Sequence, residues 1–190
     1  MGGGAATSRT RTDVEVRPIR NEDVDALTEF FACVPEGDRT FFNEDVLDPD
    51  VVRSFTTPRD GDQRLILIDE DGSVAGWLAI FGGVGWSSHV GRLAVVVDPA
   101  RRGEGLGRRL ARESLQRGLT AGYSKLVVEV VADQRSAIAM FQAIGFEAEA
   151  LLRDHVIDRA GTVRDLVVLA HHADQDSSEM QALGLAAEVA

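Results

Sequence analysis

The sequence predicts one α/β domain built on a mixed, mostly antiparallel sheet, and three observations support this. Two apolar runs, Leu65 to Ile68 and Val74 to Phe81, flank an Asp71-Gly72 dipeptide that is typical of a hairpin turn. A glycine-rich turn leads from a strand into an amphipathic helix, Gly105 to Ala121. The valine-rich run Lys125 to Val131 is too apolar for an edge strand and predicts a central one.

The chain before the hairpin predicts one strand and two helices. Val14 to Ile19 alternates as a strand does. Asn21 is expected to cap a helix whose apolar stripe consists of Val24, Leu27 and the pair Phe30 and Phe31. The segment from Pro35 to Pro58 is less regular, with a short helix expected near Pro49 to Phe55.

The elements after the hairpin complete the sheet. A strand is expected from His89 to Val97, before the glycine-rich turn. A second amphipathic helix ends at Gly145, and its apolar residues recur at helical spacing: Ala137, Met140, Phe141 and Ile144. Two last strands, Glu147 to His155 and Val163 to His171, are joined by a turn at residues 159–161.

Length and composition suit one globular domain. The chain has 190 residues, 44% of them hydrophobic, and no apolar run approaches the length of a membrane span. The N-terminus lacks the apolar core of a signal peptide. The single cysteine, Cys33, forbids an internal disulfide and cannot form a metal cage. We therefore expect a cytoplasmic protein without a metal or a membrane partner.

The ends of the chain and its charge narrow the expectations further. Residues 1–13 lack periodicity and predict a flexible leader, residues 14–172 the folded domain, and residues 173–190 a polar tail. The net charge of −11 argues against nucleic-acid binding, which depends on lysine and arginine contacts to phosphates. An acidic protein is compatible with a cationic, amine-bearing substrate.

The turn between residues 98 and 107 predicts an anion site. Gly103, Gly105 and Gly107 let main-chain N–H groups approach a ligand, and the helix that follows presents unpaired donors to it. Residues 101–112 contain five arginines and one glutamate, a local charge of +4. Arg108 occupies the position of the P-loop lysine and of the third Rossmann glycine, so both common nucleotide motifs are excluded.

Two sequence blocks carry a family resemblance. The first is Arg102-x-x-Gly105-x-Gly107, and the second runs from Val127 through Glu129 to a closing Gly145-Phe146. Their order and spacing resemble the GNAT family of N-acetyltransferases over about residues 14–170. Two positions depart from the family pattern: Gln134 stands where asparagine is usual, and Phe141 stands where tyrosine is usual.

The resemblance implies a fold and a reaction. The sheet would be splayed and flanked by helices on both faces, and residues 35–58 would lie over the acceptor pocket. The protein would transfer acetyl from acetyl-CoA to a primary amine directly, in a ternary complex. The amine would belong to a protein N-terminus, a lysine or a small molecule, and homodimers are common in the family. The implied cofactor-binding residues are Val95, Val96, Val97, Arg102, Gly103, Glu104, Gly105, Leu106, Gly107, Arg108, Gln134 and Phe141.

Glu129 is the candidate general base, because relatives that acetylate protein N-termini use a glutamate at this position. An alkyl ammonium must lose a proton before it can attack a thioester. The flanking valines are expected to desolvate the carboxylate in part, which favours proton acceptance. The alternative is a structural ion pair with an arginine. His89, Glu44 and Asp45 are further candidate bases.

Phe141 replaces the tyrosine that, in the family, protonates the departing thiolate. Phenylalanine has no proton to give, but a thiol with a pKa of about 8.5 departs tolerably unaided, so slower transfer is expected. Tyr123, the only tyrosine, lies beyond a helix end and is poorly placed to substitute. The rival hypothesis is a catalytically weakened module that binds or senses coenzyme A.

Overall fold

A computed structural model describes residues 14–39, 42, 44–158 and 161–173. The predicted leader, residues 1–13, lies outside the described residues. So do residues 159–160 of the last predicted turn and residues 174–190 of the predicted tail.

Within the described residues, seven strands form one sheet. The strands are β1 Glu15–Pro18, β2 Gln63–Ile68, β3 Val74–Gly82, β4 Val90–Val97, β5 Lys125–Val131, β6 Glu147–Ile157 and β7 Val163–His172. The helices are α1 Val24–Cys33, α2 Glu36–Arg39, α3 Pro49–Ser54, α4 Leu106–Thr120 and α5 Arg135–Gln142.

The strand order is β1-β2-β3-β4-β5-β7-β6. Only β4 and β5 pair in parallel, and α4 connects them; the other neighbours are antiparallel. The mixed, mostly antiparallel sheet is thus confirmed. The valine-rich strand β5 lies between β4 and β7, so it is an interior strand as its composition indicates.

The sheet splits between β4 and β5. Their register runs only from Val90 opposite Lys125 to Leu93 opposite Val128. Beyond those pairs β4 continues to Val97 beside β3, and β5 continues to Val131 beside β7. The predicted splay is therefore confirmed, and it leaves a gap between the carboxyl ends of two neighbouring strands.

Helices cover both faces of the sheet, as predicted. One core contains the apolar stripe of α4 and residues of α5, including Leu110, Leu115 and Phe141. The other core lies under α1 and α3 and centres on Trp77 and Phe31, whose rings are 5.7 Å apart in an edge-on contact. Each fully buried side chain of this size contributes about 1.5–3 kcal/mol, so both cores hold the walls of the gap in place.

The start of the first helix differs from the prediction. Asn21 does not cap α1; it begins a short 3-10 turn, and α1 starts at Val24. The carboxylate of Asp23 instead accepts a hydrogen bond from the main-chain N–H of Arg20 at 2.7 Å. It also binds the guanidinium of Arg17 at 2.6 and 2.7 Å. A tertiary ion pair with β1 therefore determines where this helix begins.

Candidate active site

The glycine-rich turn connects β4 to α4. Asp98 begins it by accepting a hydrogen bond from the main-chain N–H of Ala100 at 2.9 Å. Gly103 and Gly105 have φ of +86° and +84°, and an added Cβ at either position would meet no atom within 4 Å. The left-handed backbone favours glycine at both positions, and the open space leaves the main chain accessible to a ligand. The turn thereby delivers the first N–H groups of α4 to an open cradle that suits an anion.

Gly107 serves a different purpose from the two glycines before it. A Cβ at this position would lie 3.2 Å from the sulfur of Met140 and 3.7 Å from a methyl group of Val97. The small residue therefore lets the first turn of α4 approach α5 and the end of β4 closely. Leu106 beside it is buried, so only its main chain is available to a ligand.

Two arginines of the turn, Arg101 and Arg102, form ion pairs in different directions. Arg101 binds the carboxylates of Asp69 and Glu104 and holds the turn to the β2–β3 hairpin. Arg102 reaches across to α2, where its Nη2 donates to Asp38 Oδ2 at 2.6 Å. Asp38, which the sequence analysis did not single out, thus contacts a predicted cofactor-binding residue.

Main-chain groups of β4 face the gap at alternate residues. Gly83 N–H donates to the carbonyl of Val90 at 2.9 Å, and Asp98 N–H donates to that of Ala75 at 3.0 Å. In an antiparallel pair these groups alternate in direction, so the even-numbered residues between them, Val96 included, turn toward β3. Val95 and Val97 therefore turn their N–H and C=O groups into the gap, where an extended ligand can pair with them.

The turn and the gap open into one cleft of about 1480 Å³. Glu129 and all the implied cofactor-binding residues except Glu104 line it, so the structure brings both sequence blocks together. Glu104 is occupied by Arg101. The cleft extends beyond the gap to an end with residues that the sequence analysis did not single out: Arg64, Phe81, Arg92 and His155.

Glu129 lies at the closed end of the gap and is more exposed than expected. Its side chain is 42% exposed, because no strand lies opposite it on the β4 side, so the expected desolvation is wrong. Its Oε2 lies 3.8 Å from Nη1 of Arg92, which makes the ion pair that the sequence analysis offered as an alternative. The carboxylate still lines the cleft, where it can accept a proton from an amine.

The other candidate bases are placed differently. Glu44 lines the cleft, but both of its carboxylate oxygens accept hydrogen bonds from Arg64, at 2.8 and 2.9 Å. Arg64 is itself 8% exposed and stacks 4.1 Å above the ring of Phe55. His89 and Asp45 are exposed residues outside the cleft lining. Glu44 therefore has a structural partner, and Glu129 is the better placed candidate for the general base.

Phe141 lies in the wall of the cleft and in the core at once. It is 3% exposed, and its ring centroid lies 5.3 Å from that of Phe146 in an edge-on contact. Tyr123 does not replace the missing hydroxyl, because its OH donates to the carbonyl of Gly61 at 2.6 Å, outside the cleft lining. Burial raises the pKa of the Tyr123 hydroxyl, so it is a poor proton donor.

Neither a metal site nor a membrane-spanning helix is present among the described residues. No group of three or more histidine, cysteine, aspartate or glutamate side chains is arranged to hold a metal ion in the part of the chain that the structure describes. No helix among the described residues is long and apolar enough to cross a bilayer.

The fold is that of known acetyltransferases. The structure superposes on yncA of Salmonella typhimurium, solved with its cofactor acetyl-CoA, with a TM-score of 0.74. The alignment covers 87% of this chain and 96% of the other, at 20% sequence identity. Residues 25–146 match the acetyltransferase (GNAT) family, which is more than half of the chain. The protein therefore belongs to the GNAT family, as its two sequence blocks indicate.

Curated relatives match over shorter stretches. A mycothiol acetyltransferase of Kocuria rhizophila is 35% identical over 72 residues, which is 37% of this chain. An uncharacterised protein of Mycobacterium leprae is 45% identical over 53 residues, or 28% of this chain. The matched stretches span 24% and 14% of the lengths of these relatives.

Proposed function

We propose that the protein is an N-acetyltransferase that transfers the acetyl group of acetyl-CoA directly to a primary amine. One observation carries the proposal: an anion cradle, unpaired strand groups and an exposed carboxylate line a single cleft in that order. The cradle would bind the pyrophosphate of the donor, and the strand groups would pair with its amide-containing arm. The carboxylate would accept the proton of the amine. Membership of the GNAT family and the acetyl-CoA bound to yncA support the choice of donor.

The cofactor side of the cleft consists of the glycine-rich turn and the end of β4. The N–H groups of residues 103–108 and the guanidinium of Arg102 would bind the pyrophosphate, whose negative charge the N-terminus of α4 stabilises. Val95 and Val97 would pair with the pantetheine amides as an added strand. Arg108 is exposed at the same helix end and adds a second cation. Acetyl-CoA supplies the acetyl group as a thioester at the closed end of the gap.

The acceptor side provides the base. Glu129 accepts a proton from the substrate ammonium, directly or through a water molecule, and thereby frees the nitrogen lone pair. The new bond joins that nitrogen to the acetyl carbon, the carbon–sulfur bond breaks, and coenzyme A leaves as a thiolate. Phe141 gives this thiolate no proton, so the proton comes from solvent. Alignment of both reactants in one cleft supplies much of the rate.

A module that binds coenzyme A without turnover is the second candidate. Two observations favour it: Phe141 lacks a hydroxyl, and the carboxylate of Glu129 lies beside the guanidinium of Arg92. Such a module would use the same cradle and strand groups, so the two candidates differ only in the consequence of binding.

Calorimetry and a turnover assay distinguish the candidates. Acetyl-CoA is titrated beside its dephosphorylated and pantetheine-only analogues, and thiol release is then followed with a panel of amines. We expect binding that requires the pyrophosphate, and turnover that falls about 100-fold or more in Glu129→Gln with acetyl-CoA affinity unchanged. Glu113→Gln, which alters an acid paired with Arg117 away from the cleft, is the matched control. Binding without thiol release from any amine would favour the sensing module.

A further inference from the structure

Four side chains form a row across the acceptor end of the cleft. The register places Phe81 opposite Arg92 and Arg92 opposite Val127, so Glu129, two residues further on, projects from the same face. Arg64, on β2, stacks 5.0 Å from the ring of Phe81, and Arg92 lies at the same distance from that ring. The acceptor must therefore approach Glu129 past a surface that contains two guanidinium groups.

Among the described residues at this end of the cleft, Arg92 differs from Arg64 and Arg59 because its guanidinium has no hydrogen-bond acceptor. Arg64 donates to both oxygens of Glu44, and Arg59 donates to Asp62 and to the carbonyl of Gly82. Among the described residues, the guanidinium of Arg92 makes no hydrogen bond, and its side chain is 41% exposed. Phe81 supports it through a cation–π contact. The planar fork of Arg92 is thus held in the cleft with its donors available.

Glu129 has the complementary property. Among the described residues its carboxylate makes no hydrogen bond, and Arg92, at 3.8 Å, is the cation that pairs with it within 4 Å. The two side chains place an unfilled acceptor and an unfilled donor next to each other at the closed end of the gap. A small ligand that has an ammonium and an anion bonded to the same carbon atom would fill both.

We infer that the acceptor is a free α-amino acid, whose ammonium binds Glu129 and whose carboxylate binds the guanidinium of Arg92. An arginine fork matches a carboxylate with two parallel hydrogen bonds, which neutral or cationic groups cannot provide. A polyamine or a lysine side chain would bring a second cation to Arg92 and leave its donors unfilled. This inference rests on the proposed acetyltransferase function, because it concerns the acceptor of that reaction.

The test compares three acceptors that differ only at the carboxylate. Thiol release is measured with a panel of L-α-amino acids, and the best substrate is compared with its carboxamide and its decarboxylated amine. We expect kcat/KM to fall about 10- to 100-fold for both analogues, as loss of hydrogen bonds between charged groups predicts. The Michaelis constant for acetyl-CoA should not change.

Variants at Arg92 make the test specific. Arg92→Gln should lower kcat/KM for the amino acid by the same factor. It should lower kcat/KM for the carboxamide very little, because the carboxylate that would pair with Arg92 is already absent. Arg92→Lys should restore part of the loss through its charge alone. Arg117→Gln, on α4 and outside the cleft, removes an arginine from a half-buried ion pair with Glu113 and should leave the rates with all three acceptors unchanged.

The outcomes separate this inference from the proposed function. If the wild-type protein binds acetyl-CoA and acetylates the carboxamide or the plain amine as well as the acid, the amino-acid assignment is wrong and the acetyltransferase remains. An equal loss for all three acceptors in Arg92→Gln overturns the assignment in the same way. If the wild-type protein does not bind acetyl-CoA, the proposed function fails first.

Discussion

Asp38 and Arg102 form an ion pair across the mouth of the cleft, with 2.6 Å between Oδ2 and Nη2. The other oxygen of Asp38 accepts a hydrogen bond from Nε2 of Gln134 at 3.2 Å. Asp38 belongs to α2, whereas Arg102 lies in the glycine-rich turn and Gln134 precedes α5. One carboxylate therefore joins the two walls of the gap and occupies two side chains assigned to acetyl-CoA.

Asp38→Asn should bind acetyl-CoA about 3- to 10-fold more tightly than the wild-type protein. The carboxylate competes with phosphate for Arg102, and its negative charge opposes that of the ligand. Calorimetry with acetyl-CoA measures the effect, and Asp25→Asn, an exposed position on α1, controls for the change in net charge. Weaker binding in Asp38→Asn would instead mean that the carboxylate positions Arg102 for the phosphate.

Phe141→Tyr should raise kcat, by up to about tenfold if departure of the thiolate limits turnover. The residue lines the cleft, so the added hydroxyl has access to the leaving group. Phe146→Tyr adds the same hydroxyl to the neighbouring ring, which is 2% exposed and outside the cleft lining. That control should lower the melting temperature without a gain in rate. A Phe141→Tyr enzyme with unchanged kcat would show that proton donation does not limit the reaction.

The fold was predictable because its signals are local. The Asp71-Gly72 turn fixes a hairpin whose two strands pair as expected, from Gln63 opposite Ile80 to Ile68 opposite Val74. The mostly apolar composition of Lys125–Val131 indicates an interior strand. The start of α1 was not predictable in this way, because the Arg17–Asp23 ion pair joins two elements.

The site was only partly predictable. Motif spacing found the glycine-rich turn and Glu129, since both lie within short blocks. Asp38 contacts residues 64 and 96 positions away, and no local pattern indicates such a contact. The exposure of Glu129 also escaped prediction, because alternation shows which face a residue takes and not whether the neighbouring strand has separated. Arg92 belongs to neither sequence block, so motif spacing did not indicate it.

Gly105→Ala should weaken acetyl-CoA binding about tenfold and lower the free energy of unfolding by about 1 kcal/mol. The backbone there has φ of +84°, which disfavours alanine, and the new methyl group would point into the cradle proposed for the pyrophosphate. Gly122→Ala is the matched control, because it has φ of +89°, meets no atom within 4 Å and lies at the far end of α4. We expect the two variants to lose the same free energy of unfolding, and only Gly105→Ala to lose affinity for acetyl-CoA. If both variants lose the same affinity, the cradle does not contact the ligand.

Asp23→Asn should lower the free energy of unfolding at pH 7 by about 3 kcal/mol, because it leaves the guanidinium of Arg17 without its partner at a site where both side chains are largely buried. The hydrogen bonds from Arg17 hold the pKa of Asp23 below its ordinary value. A lowered pKa in the folded state adds stability above the unfolded value of about 3.9, and this stability is lost as the pH falls through the folded value. The difference in the free energy of unfolding between wild type and variant, measured by urea denaturation, should therefore be largest at pH 7. It should decrease below about pH 4. Asp25→Asn, two positions along and exposed, should differ little from wild type at either pH. If this difference in the free energy of unfolding stays constant from pH 7 to pH 3, packing and not the charge of Asp23 stabilises the start of α1.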